Sequence, residues 1–188
     1  MQYLVRFGLL FGILGLSIAM PDSTRAAGSV SIVLSPQSSV VQVGDTFTVQ
    51  VVVQAGDQEL NTVEVYLDFD PSLLQASPST DGGAFSLVLE NSVDNSLGQI
   101  DFAAGTLGGG ALPSGSFVLA TLNLRAIGAT PATPLSFSDV LPRQTDALYG
   151  AGISALGHAI DGSVEIQSEN IYYLYIPLVL AAYETGSR

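Results

Sequence analysis

The sequence predicts an all-β fold, a sandwich of two sheets. Three observations lead there: apolar and polar residues alternate with a period of two, turn residues cluster at regular intervals between those runs, and helical periodicity is nearly missing. The first expected strand is 30–34 (VSIVL). In 46–54, Phe47, Val49, Val51 and Val53 alternate with Thr48, Gln50, Val52 and Gln54. In 61–69, Val63, Val65, Leu67 and Phe69 alternate with Thr62, Glu64, Tyr66 and Asp68. Further strands are expected at 85–90, 99–103, 116–126, 135–138 and 162–166. In 116–126, Val118, Ala120, Leu122 and Leu124 are expected to face the core, with Thr121, Asn123 and Arg125 outward. Gly44-Asp45 reads as a turn opening the second of these strands. Asp70-Pro71 ends the third, because proline pre-sets φ for a turn and the aspartate accepts main-chain N–H groups there. The glycine-rich stretches 105–116 and 139–162 are expected as surface loops.

The chain has 188 residues, a length for one domain with short appendages. A middle part of about 140 residues buries close to 70% of its unfolded surface, enough for a core without disulfides. Its five basic residues are all arginine, set against 17 carboxylates, for a net charge of −12. That balance argues against nucleic acid, whose phosphates need a basic footprint. No cysteine is present, which excludes disulfides, thiolate metal sites and cysteine nucleophiles. The single histidine, His158, excludes a multi-histidine metal centre, and in a glycine-rich loop with no G-x-S-x-G serine nearby it is read as having no catalytic role.

Residues 1–26 read as a signal peptide. Arg6 supplies the positive start, 7–19 is an uncharged apolar run, and small residues offer cleavage after Ala19 or Ala26. The run is shorter than the roughly 20 apolar residues that span a bilayer, so no transmembrane span is expected. Residues 27–168 form the expected domain. The tail 169–188 holds a second short apolar segment, 171–182, with Pro177 in its middle and Tyr172, Tyr173 and Tyr175 beside it. Residues 175–180 (YIPLVL) resemble short endings of secreted bacterial proteins, for which surface attachment is the expectation; a last packed strand is the other reading.

Four stretches in order resemble the cohesin domain, the module that binds dockerins in cellulosome-type assemblies. Residues 40–53 (VVQVGDTFTVQVVV) resemble its "V-x-x-G-D-T-x-x-V-x-V" strand. Residues 63–74 (VEVYLDFDPSLL) resemble "x-L-x-Y-D-P-x-x-L", with Phe69 in place of the usual tyrosine. Residues 119–126 (LATLNLRA) and 161–166 (DGSVEI) resemble the family's "A-T" strand and its closing "D-G-x-V-x-[IV]". The resemblance implies a nine-stranded jelly-roll β-sandwich of a superfamily shared with carbohydrate-binding modules. It also implies a secreted, non-catalytic module that docks a dockerin-bearing protein or cell-surface component of a polysaccharide-degrading assembly. The docking face it implies includes Thr62, Glu64, Tyr66 and Asp68. Glu64 falls where cellulosomal cohesins carry an acidic contact residue, and Thr62 stands where they often carry asparagine. The strand after Gln99 lacks the acidic residue usual near its end.

Two other functions are kept open: a carbohydrate-binding module, and a surface-displayed structural domain with no dockerin partner. The first would use Tyr66 and Tyr149, the only tyrosines between the signal and the tail. With no tryptophan, a flat aromatic platform is not expected. A glycosidase needs two carboxylates about 5–9.5 Å apart in a cleft; Glu64, Asp68 and Asp101 lie on strand faces, and no enzyme activity is expected. No cofactor is expected either. A structural calcium ion is kept open, because oxygen ligands are abundant, with Asp81, Asp94, Asn95 and Asp101 in one region and Asp139 and Asp146 in another; no EF-hand loop is present.

Overall fold

The computed structural model describes residues 29–168; the expected signal segment 1–26 and tail 169–188 lie outside the described residues. The elements are β1 (Val30–Ser35), β2 (Ser38–Gln42), β3 (Thr46–Gly56), β4 (Thr62–Asp68), β5 (Leu74–Asp81), β6 (Leu87–Asp94), β7 (Gln99–Gly105), β8 (Gly115–Ala126), β9 (Thr130–Phe137), β10 (Asp139–Val140), β11 (Arg143–Gln144), β12 (Asp146–Tyr149), β13 (Ile153–Ser154), β14 (Leu156–Ile160) and β15 (Gly162–Gln167). No helix occurs among the described residues. The all-β expectation holds. The count differs from nine because short two- to five-residue pieces complete the sheets.

One sheet runs β14–β1–β3–β8–β5. The other runs β6–β7–β4; the far edge of β4 is shared by β12, with β13 beyond it, and by β9, which continues to β15 and β2. Most neighbours are antiparallel, while β1–β14 and β2–β15 are parallel. Between the sheets lie the inward rows of every long strand, among them Val49, Val51, Val53, Val63, Val65, Leu67, Ile100, Phe102, Leu122 and Leu124, all buried. Burying each such side chain contributes about 1.5–3 kcal/mol. The turn chemistry acts as expected. Gly44 sits at φ +97°, and the Asp45 carboxylate accepts the Gln42 N–H at 2.9 Å. The Ser72 N–H and hydroxyl both donate to Asp70 Oδ1, at 2.8 and 2.6 Å. Those two bonds, the hydroxyl's foremost, hold the Asp70 carboxyl below its ordinary pKa.

Three expectations need correction. First, 139–162 is not an irregular loop but the run β10–β14, which supplies partners to both β4 and β1. Its strands are too short and glycine-interrupted for alternation to reveal them. His158 accordingly lies on β14 opposite Ser31 rather than in a loop. Second, Val118 does not face the core. The β3–β8 ladder shifts register so that Val51 pairs with Ala120 but Val52 with Val118. This bulge at Leu119 reverses the parity of the strand start. Phe117 takes the inward position and meets Phe85 edge-on, ring centroids 5.8 Å apart. Third, the expected strand 85–90 begins later and runs on as β6.

The strand β5 had no alternation to announce it, and contains Pro78. A shift in its pairing with β8 between Ser77 and Thr80 leaves Pro78 outside the ladder, where its missing N–H costs nothing. Its outer edge is met by side chains from the opposite sheet. Asn95 Oδ1 accepts the Ala76 N–H at 2.8 Å and its Nδ2 donates to the Ala76 carbonyl at 3.0 Å. Asn91 repeats the pattern on Ser79, at 2.9 and 2.7 Å. Two asparagine amides thus stand in for a strand and clasp the two sheets along one side. Asn91→Ala leaves a main-chain N–H and carbonyl of β5 unpaired and is expected to lower stability by about 1–3 kcal/mol, read as a urea midpoint shift. Leu97→Ala, on the exposed turn beside it, is expected to stay within about 0.5 kcal/mol.

Candidate docking face

Alternation along β4 decides which of its side chains are free. Val63, Val65 and Leu67 are wholly buried, so Thr62, Glu64, Tyr66 and Asp68 all emerge, half-buried, on the outer face of the larger sheet. The structure brings the four onto one surface. On β7 their cross-strand partners are Gly105, Ala103, Asp101 and Gln99 in that order. Beyond them on β6 stand Leu87, Glu90, Ser92 and Asp94. On the other side, Leu148 and Asp146 of β12 pair with Thr62 and Glu64.

Ala103 and Gly105, both buried, stand between these side chains, and acids flank Ala103. Glu64 lies directly opposite Asp146, and Glu90 stands across Ala103 from it. Burial first, then the charges of Asp146 and Glu90, push the Glu64 carboxyl above its ordinary pKa. Tyr66 is pushed up as well, by burial and then by the Glu64, Glu90 and Asp101 charges. Asp146 accepts hydrogen bonds from the Ser154 hydroxyl and the Ala147 N–H, which fix its carboxylate beside Glu64.

Further along β4 the electrostatics reverse. Arg143, at the start of β11, lays its guanidinium over this face. It donates to Asp101 Oδ1 through Nε at 2.9 Å and Nη2 at 2.7 Å, to Asp68 Oδ1 through Nη1, and to the Leu67 carbonyl at 3.0 Å. Its Cζ lies 5.7 Å from the centre of the Tyr66 ring. Burial alone would lower the pKa of this arginine, but the bonds to Asp101 and Asp68 outweigh it and hold the group above its ordinary value. Thr145 secures the same segment: its hydroxyl accepts the Tyr66 N–H at 3.1 Å and lies 3.2 Å from the Tyr66 carbonyl. Asp68 and Asp101 are therefore brought together as two acceptors of one guanidinium.

Sequence reasoning missed Arg143, Asp146 and Glu90 as parts of this face. The first two lay in the stretch read as a loop. A signal existed for Arg143: it is one of only two arginines among the described residues of a strongly acidic chain, so carboxylates had to compete for it. Tyr66 and Tyr149, the pair considered for sugar stacking, do not form one platform. Tyr66 emerges on the outer face, whereas Tyr149 packs partly buried against the core. Among the described residues no three acidic or histidine side chains group as metal ligands. Several of the oxygens considered for calcium have other partners: Asp94 Oδ1 accepts the N–H groups of Ser96 and Leu97, which lowers its pKa, Asp81 accepts that of Gly83, and Asn95 serves β5.

Two outcomes follow from this geometry. Arg143→Met removes the cation shared by Asp68 and Asp101 and is expected to lower stability by about 1.5–3 kcal/mol, measured by urea unfolding. For Glu64 the sign is opposite. Because its folded pKa is raised, the folded state holds the proton longer than the unfolded state, and stability falls as pH rises above the ordinary value of 4.5. Glu64→Gln is expected to raise stability at pH 7 by about 0.5 kcal/mol, the scale of a half-exposed like-charge pair. Below pH 4.5 the gain disappears, and thermal unfolding at pH 7 and pH 4 reads the difference.

Comparison with known proteins places this sandwich. A cohesin module from a family 33 glycoside hydrolase of Clostridium perfringens is 18% identical, with a TM-score of 0.60, covering 76% of this chain and 98% of that module. A non-cellulosomal cohesin from the hyperthermophilic archaeon Archaeoglobus fulgidus is 17% identical, with a TM-score of 0.59 and coverage of 75% and 93%. A type I cohesin–dockerin complex from Clostridium thermocellum contains a chain 13% identical, with a TM-score of 0.63 and coverage of 74% and 94%. At these identities the likeness is one of fold. No curated protein sequence matches the chain. The cohesin domain family model matches residues 32–148, more than half of the sequence, and the chain belongs to that family.

Proposed function

We propose that the chain is a secreted, non-catalytic docking module that binds a dockerin-bearing protein through the outer face of β6–β7–β4–β12. The observation that carries this reading is the arrangement around β4 in a member of the cohesin family. Thr62, Glu64, Tyr66 and Asp68 share a surface backed by the buried row Val63, Val65 and Leu67. Asp68 and Asp101 share the guanidinium of Arg143, and Glu64 and Glu90 stand on the same face either side of Ala103. An incoming lysine or arginine would find carboxylates at Glu64 and Glu90, so the face suits a partner with a basic contact surface. Docking makes and breaks no covalent bond. Export through segment 1–26, and attachment through the tail 169–188, would place the module outside the cell in a polysaccharide-degrading or cell-surface assembly.

The test is capture from the native secretome on the immobilised chain, with calcium and again with a chelator. Dockerins need calcium to fold, so recovery of a dockerin-bearing protein only with calcium is the expected result. Failure to recover one in either buffer would overturn the reading for that proteome. With the captured partner in hand, Glu64→Lys is expected to weaken binding by about tenfold or more, since it places like charges across the contact; titration calorimetry reads the change.

A further inference from the structure

The opposite side of the sandwich carries a second surface, with the reverse chemistry. An open groove of about 480 Å³ lies over β3, β8 and β5. Two consecutive outward rows form its floor. Thr46, Arg125 and Gln75 stand side by side on the three strands, and Thr48, Asn123 and Ser77 repeat the row. Five of these six side chains are uncharged hydrogen-bonding groups, and no carboxylate lines the groove, although the chain carries 17 of them. Asn123 is held in place: its Nδ2 donates to the Pro78 carbonyl at 3.0 Å and lies 3.3 Å from Thr80 Oγ1. Its Oδ1 is thereby left as an acceptor. Arg125 is exposed and makes no ion pair with any described residue, whereas Arg143 is spent on Asp68 and Asp101.

We propose that this groove binds an acidic saccharide of the hexuronate class, with the carboxylate on Arg125 and the ring hydroxyls on Thr46, Thr48, Gln75, Ser77 and Asn123. A free guanidinium is a directional carboxylate receptor. A grid of hydroxyl and amide groups answers a ligand made mostly of hydroxyls. An acidic peptide fits less well, because no strand edge is open to it here. β3 and β8 are paired on both sides, and the outer edge of β5 is occupied by Asn91 and Asn95. The groove and the docking face lie on different sheets, so a glycan and a protein partner bind without competing.

The test is a titration of the ¹⁵N-labelled full chain with trigalacturonate, followed by amide chemical shifts. Its neutral methyl ester and triglutamate serve as comparison ligands. The expected result is saturable binding with a Kd of about 1 mM, with shifts centred on the two rows. The methyl ester is expected to bind about tenfold more weakly, and Arg125→Gln to lower trigalacturonate affinity by a similar factor. Glu64→Gln, on the other sheet, is expected to leave the titration unchanged. The spectra themselves report whether each variant is folded, and Thr48→Val offers a second, uncharged alteration of the floor with an expected loss of affinity. Absence of shifts in the groove, equal binding of acid and ester, or an unaltered Arg125→Gln would overturn the proposal. Equal or tighter binding of triglutamate at the same amides would overturn it in favour of an acidic peptide.

Discussion

The structure depends on the meeting of two inward-facing rows. Val49, Val51, Val53 and Ala55 of β3 come from one sheet, and Val63, Val65, Leu67 and Phe69 at β4 and its end come from the other. Because a strand presents alternate residues to opposite faces, committing these rows to the core commits their neighbours to the surface. A one-residue slip of β4 would bury Glu64 and Asp68 and expose Val63, Val65 and Leu67, a change no surface contact could offset. The apolar row therefore sets which side chains are available for recognition before any of them makes a contact. The bulge at Leu119 shows how local that bookkeeping is: beyond it, Val118 is outward and Phe117 inward.

The scarcity of cations gives the second layer of organisation. An acidic chain with two arginines among its described residues must place them with effect. Arg143 joins strands that are distant in sequence, drawing the β10–β11 hairpin onto β4 and β7 through Asp68, Asp101 and the Leu67 carbonyl. This leaves the larger sheet with one quenched region, around Tyr66, and one charged region, around Glu64, Glu90 and Asp146. The Glu64 pKa is raised there by burial first and then by the neighbouring Asp146 and Glu90 carboxylates. The smaller sheet is organised differently, with hydroxyl and amide groups outward and Arg125 unspent. The two outer faces of one sandwich thus offer distinct chemistry.

Much of this was legible in the residues. The alternation of β3 and β4, the Gly44-Asp45 and Asp70-Pro71 turns, and the outward set Thr62, Glu64, Tyr66 and Asp68 all follow from local pattern, because period-two burial and turn geometry act within a few residues. The resemblance of four ordered stretches to the cohesin domain belongs to the same level. By itself the sequence determined the all-β class, the core rows, the family and the face that β4 presents. Only the tertiary structure decided which distant groups meet on that face. The residues of β10 to β14 carry no readable period, since pieces of two to five residues are specified by the strands they join. Asn91 and Asn95 look like turn residues until β5 lies beside them. Arg143 is an isolated arginine until Asp68 and Asp101, 75 and 42 positions away, close on it. Contacts of that range depend on the packing of whole sheets, and no local pattern encodes them.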